Sequence, residues 1–365
     1  MSKRLLIFSL RNINKELFRC CDYEYEDVIS LSDPADFYLP ELRYKSPFLS
    51  QLSQSLSRNT LNIPWNLSFS FPKIEKNYDV FFAMLMFTHD LEVLHRMPDW
   101  RSKTGYSICY IDESFVKSFK SHSKYMRVLK RFDCLVLNCS QTKEFIDKKL
   151  GMKTLVVSSG VDAERFFPGI PSLSRNIDIY NMGRRDEQVH QQFRKLAKKD
   201  DWLYVYTTGM PGICFDPPEH RENLAGRLNR SKFFVVNPSK FDCPDDTGKQ
   251  QEIGFRYYEG SAAGTVMVGT IPNNINFKRH FPWEAVVELP KDPNHVMDFM
   301  RDLKSDDEHM SKIRFNNVKG SLEQHDFVYR WEEMLTGCEL EIPHSLQLRK
   351  NKLDDLKSKW MEAHS

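Results

Sequence analysis

The sequence predicts two open α/β units in tandem, each a parallel sheet with helices on both faces. Three observations lead there. Strand-length apolar runs, near-continuous rather than alternating, recur from residue 3 to residue 289. Helical segments separate them, the pattern of βαβ units buried on both faces. The alternation pauses once, at the polar IPSLSR (residues 170–175), and then restarts. A length of 365 residues suits two or three domains that each bury a core.

In the first unit, residues 3–10 read as a buried strand and residues 27–31 as a further strand candidate. Residues 32–77, rich in Ser, Pro and Asn, read as loop with short helices. YDVFFAMLMF (78–87) is a continuous apolar strand, followed by the helical HDLEVLHRM. YSICYI (106–111) is the next strand, and an amphipathic helix is expected over residues 114–131. CLVLNCS closes on Ser140, an expected N-cap for QTKEFIDKKL, with Gly151 as its stop. TLVVSS follows. The second unit has strands at IDIYNM (177–182), WLYVYT (202–207), FFVVNP (233–238), TVMVGT (265–270) and AVVEL (285–289). Its helices are centred near Gln192, Leu224 and Tyr257, and the chain reads as helical beyond Pro293. The expected division is residues 1–170, residues 171–340, and a charged amphipathic helix over 341–365 that either crosses back to the first unit or frays.

Composition removes several function classes. Lys and Arg number 52 against 50 Asp and Glu, a net charge of +2, so no basic field marks a nucleic-acid binder. None of the eight cysteines has metal-site spacing, and a chain this long needs no disulfide staples, so buried reduced thiols and no metal site are expected. The N-terminal LLIFSL is too short for a signal-peptide core or a bilayer span. A cytoplasmic protein with no transmembrane segment is expected, and peripheral attachment to a membrane surface is compatible with this.

Ligands of open parallel sheets bind beyond the carboxyl ends of the strands. In the second unit those positions hold Gly183-Arg184-Arg185, Thr208-Gly209, Pro238-Ser239-Lys240 and the QEIGFRYYEGSAAG stretch (251–264). In the first they hold Ser9, His89-Asp90, Asp112-Glu113, Ser140 and Ser158-Ser159-Gly160. The 251–264 stretch reads as a helix closed by Gly264, with Gly254 at its start leaving N–H groups free for a phosphate. Glu252, Arg256 and Glu259 then share one face. The competing reading is a solvated face with an Arg256–Glu259 ion pair. Arginine suits a diphosphate through its bidentate fork. Asp112 and His89 stand where a general base or acceptor contact would stand; helix-start acids and a structural histidine are the bland alternatives. No G-x-G-x-x-G follows a strand, which argues against a dinucleotide-dependent dehydrogenase.

Three local patterns resemble one family. SSGVDAERFFPG (158–169) is similar to the segment closing the first domain of nucleotide-sugar glycosyltransferases with the GT-B fold. MGRR (182–185) is similar to their Gly-Arg phosphate loop. GFRYYEGSAAGTVMVG (254–269) resembles their acidic helix motif, and with EQHDFVYRWEEML (323–335) it is closest to the CgeB-like, spore-maturation-protein-like branch. The resemblance is good from about residue 132 to residue 335. It implies two Rossmann-like, doubly wound domains facing a central cleft. It also implies sugar transfer from a UDP- or GDP-sugar to a hydroxyl of a glycan, glycolipid or other acceptor, with retention, without a metal and without a tightly bound cofactor. Glu259 then takes the ribose position and Arg184 the phosphate-loop position. Gly183, Arg185, Gln251, Glu252, Gly254, Phe255 and Arg256 complete the expected donor set, with Asp112 and His89 on the catalytic side. Two departures stand out: Gln251 occupies the family's first Glu position, with Glu252 one place on, and His190 occupies that of its phosphate lysine. A nucleotide-sugar epimerase on the same fold and a non-catalytic nucleotide-sugar-binding scaffold are the alternatives.

Overall fold

The computed structural model describes residues 3–44, 68–170, 173–209 and 212–364. Parts of the polar 32–77 stretch and of the 170–175 segment therefore lie outside the described residues. The first sheet contains β1 (Leu5–Phe8), β2 (Ala35–Tyr38), β5 (Tyr78–Phe87), β6 (Thr104–Glu113), β7 (Cys134–Leu137) and β8 (Thr154–Val156). Their order is β2-β1-β5-β6-β7-β8, and every pairing is parallel. A short antiparallel pair, β3 (Glu41–Leu42) and β4 (Phe69–Ser70), stands apart. The second sheet contains β9 (Ile177–Asn181), β10 (Tyr204–Tyr206), β11 (Ser231–Val236), β12 (Val266–Gly269) and β13 (Val286–Glu288). It runs β10-β9-β11-β12-β13, again all parallel. Both begin inside the sheet and build outward in two directions, the doubly wound order that leaves a crevice at the carboxyl edge.

The apolar runs explain the sheets. Phe81, Phe82, Ala83 and Leu85 of β5, and Cys109, Tyr110 and Ile111 of β6, are fully buried, as strands covered on both faces must be. One core joins Leu5, Ile7, Val80 and Trp331, which packs on Phe82, at the first sheet to Leu224 and Tyr257 beneath the second.

Several local expectations change. Residues 27–31 belong to the Cys20–Ser32 helix, because Tyr25, Val28 and Ile29 bury one face at helical spacing; the strand lies just beyond, at β2. The expected helix over 114–131 is broken into Val116–Ser121, a 3-10 turn Ser123–Tyr125, and Met126–Leu129. Its middle carries Ser118, Ser121 and Ser123, whose hydroxyls compete for backbone partners, and His122 leaves helical geometry with its Nδ1 on the Ser118 carbonyl. Ser140 opens a 3-10 turn and caps no helix through its side chain. Gly151 and Gly264 do take the left-handed conformation expected of them, both at φ 61°.

The chain passes between the sheets twice. These passages pair through Val161 and Asp326, with Val161 N–H donating to the His325 carbonyl and Phe327 N–H to the Val161 carbonyl. Arg349, from the final helix His344–Ala363, binds both Asp326 and Asp162. The same helix touches the first-sheet side through Ser345, which donates to the Ser32 carbonyl. His325 is a packing residue, fully buried among Tyr258, Phe281 and Trp283.

Candidate functional site

Register places the site. Phe87 pairs with Glu113, Ile111 with Leu137, and Leu137 with Val156, so the residues following β5, β6, β7 and β8 emerge side by side at one edge. The carboxyl edge of the second sheet is turned toward it. Lys240, after β11, reaches Glu113 at the end of β6 at 2.5 Å. The Val116 N–H donates to Gln250 Oε1 at 3.0 Å. The N–H groups of Ser140 and Gln141 donate to the Glu252 carboxylate at 3.3 and 3.2 Å.

The pivotal helix is Phe255–Ala262, with Gly254 as N-cap at φ −85°. Glu252 therefore precedes the helix and does not share a face with Arg256 and Glu259. Its carboxylate is filled by Ser140, Gln141 and the Asn274 side-chain amide at 2.6 Å, so it serves as a bolt between the two edges. Gln251 accepts from the Asn273 N–H, and Phe255 packs edge-on to Phe327. Arg185 donates to the Thr207 carbonyl and lies over Tyr206. These residues are brought to the rim of the site but are engaged in protein contacts.

Gly183, Arg184, Arg256 and Glu259 do come together. Gly183 has φ 74°, and a methyl group there would lie 2.3 Å from Arg256 Nη2; the loop after β9 is thus shaped to admit that guanidinium. Among the described residues Arg256 makes no hydrogen bond or ion pair, so the Arg256–Glu259 pair of the competing reading does not form. Burial draws the Arg256 pKa below the usual arginine range and Arg184 adds to the effect, against the pull of Glu259. Arg184 is half-exposed and bound to Asp242 through Nη1 at 2.9 Å. Glu259 is almost fully buried; its Oε1 receives Arg221 at 2.5 Å, while its Oε2 has no hydrogen-bond partner among the described residues.

On the first-sheet side, Asp112 and Glu113 lie within the end of β6 and not at a helix start. Asp112 Oδ1 accepts from Asn138 Nδ2 at 2.7 Å and Ser159 Oγ at 3.0 Å. Burial, with Glu113 beside it, pushes its pKa up to about 7. His89 stacks on Phe87 and is the more exposed of the two catalytic candidates. Its neighbour Asp90 is taken by Arg19 in a two-pronged pair at 2.8 and 3.0 Å.

Three residues at the cleft were not singled out by sequence reasoning, and a fourth, Lys240, was named only for its place after a strand. Arg221 joins Glu259 to Glu24, its Nη2 lying 2.8 Å from Glu24. Asp22, in the first turn of the Cys20–Ser32 helix, is buried, and burial and Asp112 hold its carboxyl well above the usual range. Among the described residues no cluster of His, Cys, Asp and Glu has the arrangement of a metal site, and no helix is long and apolar enough to cross a membrane.

Two facing doubly wound units with opposed carboxyl edges define the GT-B fold. Solved glycosyltransferases share it. An alpha-glucosyltransferase in complex with UDP-glucose and DNA containing an abasic site superposes with a TM-score of 0.55 at 11% identity, over 91% of this chain and 98% of that one. Sucrose-phosphate synthase from Thermosynechococcus elongatus gives 0.54 at 11% identity, over 93% and 98%. HepE of Anabaena, in complex with UDP and glucose, gives 0.50 at 10% identity, over 93% and 100%. The likeness is one of fold. No protein-family model and no curated protein sequence matches the chain.

Proposed function

We propose that the protein is a glycosyltransferase that moves a sugar from a nucleotide-diphospho-sugar, UDP- or GDP-linked, to a hydroxyl acceptor. The observation that carries this reading is Arg256: a guanidinium with no anion bound to it among the described residues, seated on a left-handed glycine at the carboxyl edge of the second sheet. Arginine in low dielectric without a partner is unfavourable, and a diphosphate supplies the missing charge in the geometry its fork prefers. Glu259 Oε2, buried on the same helix and without a hydrogen-bond partner among the described residues, is an acceptor for ribose hydroxyls. The UDP and UDP-glucose held by the fold neighbours point to the same ligand class.

In this reading residues 171–340 hold the donor, residues 1–170 face the acceptor, and the 341–365 helix ties the two. The acceptor oxygen bonds to the anomeric carbon as that carbon's bond to the β-phosphate oxygen breaks. Arg256, Arg184 and the start of the Phe255–Ala262 helix stabilise the departing diphosphate. The hydroxyl proton passes to Asp112. Retention of configuration rests on the family resemblance. A radiolabelled UDP- or GDP-sugar incubated with hydroxyl acceptors tests the reading. Labelled glycoside supports it, labelled epimer shifts it to the epimerase, and an untouched donor leaves the scaffold.

Asp112 gives this reading a pH signature. A base must be ionised to accept a proton, so with a pKa of about 7 the transfer rate should climb as pH rises through neutrality. Asp112→Asn should remove that limb and lower kcat by roughly 10²–10⁴-fold. An unchanged limb in the variant would take Asp112 out of the proton transfer.

A further inference from the structure

Lys240 stands out for its backbone. It is one of the few non-glycine residues in the left-handed region, at φ 51°, a conformation that costs a long side chain about 1 kcal/mol and persists only where the surroundings impose it. The surroundings here are visible. The loop after β11 is pinned when the Ser239 N–H donates to the Glu252 carbonyl at 2.9 Å, and it is turned when the Cys243 N–H donates to the Lys240 carbonyl at 2.9 Å. The result sends the lysine across the cleft. Its ammonium lies 5.1 Å from the Phe87 ring centre and 5.8 Å from that of Phe115, both on the first-sheet side, and binds Glu113 at 2.5 Å with both side chains 18% exposed. Arg184 shares this ground from the opposite side: it is anchored on Asp242, two residues beyond Lys240, and its charge, like that of Arg19, is felt at Glu113.

We infer that Lys240 is a diphosphate-binding cation of this site, parked on Glu113 until the ligand's phosphate replaces the carboxylate. The inference rests on the nucleotide-sugar reading above. It accounts for two observations together. His190 stands at the position where the resemblance expects a phosphate lysine, and the structure turns it inward onto the Tyr204 hydroxyl at 2.8 Å, where it meets no ligand. A lysine from another strand end instead faces the cleft, sent there by a left-handed backbone that the loop's own hydrogen bonds hold. A parked cation also makes Glu113 a competitor of the ligand: the carboxylate occupies the ammonium that the phosphate needs.

That competition separates a ligand cation from a structural bridge. Isothermal titration of the full chain with UDP, GDP and inorganic pyrophosphate should show Lys240→Met weakening whichever of these binds by about 10–100-fold. Glu113→Gln, which frees the ammonium and keeps the side-chain shape, should leave affinity unchanged or raise it several-fold. A merely structural ion pair would lower affinity in both variants alike, and that result overturns the inference. So does an affinity in Lys240→Met within about threefold of the parent, while leaving the transferase reading in place. If the parent protein binds none of the three probes, the reading itself fails and the inference falls with it. Far-ultraviolet circular dichroism and thermal melting of both variants confirm that folded protein is being compared.

Discussion

Replacing Arg221 with methionine should cost about 3–5 kcal/mol of stability. The side chains of Arg221, Glu24 and Glu259 are each no more than 3% exposed, and the arginine binds one carboxylate from each side of the cleft. Methionine keeps most of the volume but leaves two buried acids facing one another with their shared cation gone. Removing one member of a buried ionic group is costly because the desolvation of the others is no longer offset; replacing the whole group by uncharged side chains is often neutral. The triple variant Arg221→Met, Glu24→Gln, Glu259→Gln should therefore recover much of the loss. Burial already raises Glu24 to about 7, with Arg221 restraining it. Without Arg221 that carboxyl titrates higher still in the folded state, while in the unfolded chain it keeps its ordinary value near 4.5. Stability then falls as pH rises between those two values, so the deficit should be larger at pH 8 than at pH 6. Urea melts at both pH values read this directly; an equal deficit at both would mean that Glu24 is not the group left unpaired.

Arg256→Met should lower affinity for a nucleoside diphosphate by about 100-fold or more. Among the described residues its guanidinium has no partner to lose, so the folded state gives up little, and the apolar replacement relieves a largely desolvated charge. The variant should hold its melting temperature or gain slightly while binding collapses. That opposed pair of signs is the mark of a charge held for a ligand rather than for the fold. Arg184→Ala should have the smaller effect, because Arg184 is half-exposed and must leave Asp242 to reach a ligand. Differential scanning fluorimetry with and without UDP or GDP records both quantities. A variant that is destabilised but binds as the parent does would make Arg256 a structural residue.

The fold was legible because its determinants are local. Near-continuous apolar runs such as YDVFFAMLMF, alternating with helical segments, read as strands covered on both faces. The parts of the site that follow chain punctuation were legible too. Gly183 ends a strand, Gly254 opens a helix, and Arg256 lies in that helix's first turn. Readings that depended on one residue of register fared worse. Glu252 sits two residues before the N-cap, and that short offset removes it from the helical face and commits its carboxylate to Ser140 and Gln141. The residues that hold the cleft were not legible. Arg221 and Glu24 are 197 positions apart, and nothing in PPEHREN marks its arginine as buried. Lys240 followed a strand like many other residues, and only its backbone angle sets it apart.

A crystal structure with UDP or GDP bound tests the central claim most directly. The account predicts the diphosphate beyond the carboxyl ends of β9 and β11, with at least one phosphate oxygen on the Arg256 guanidinium and the ribose beside Glu259. A nucleotide seated elsewhere, with Arg256 still unpartnered, would contradict it.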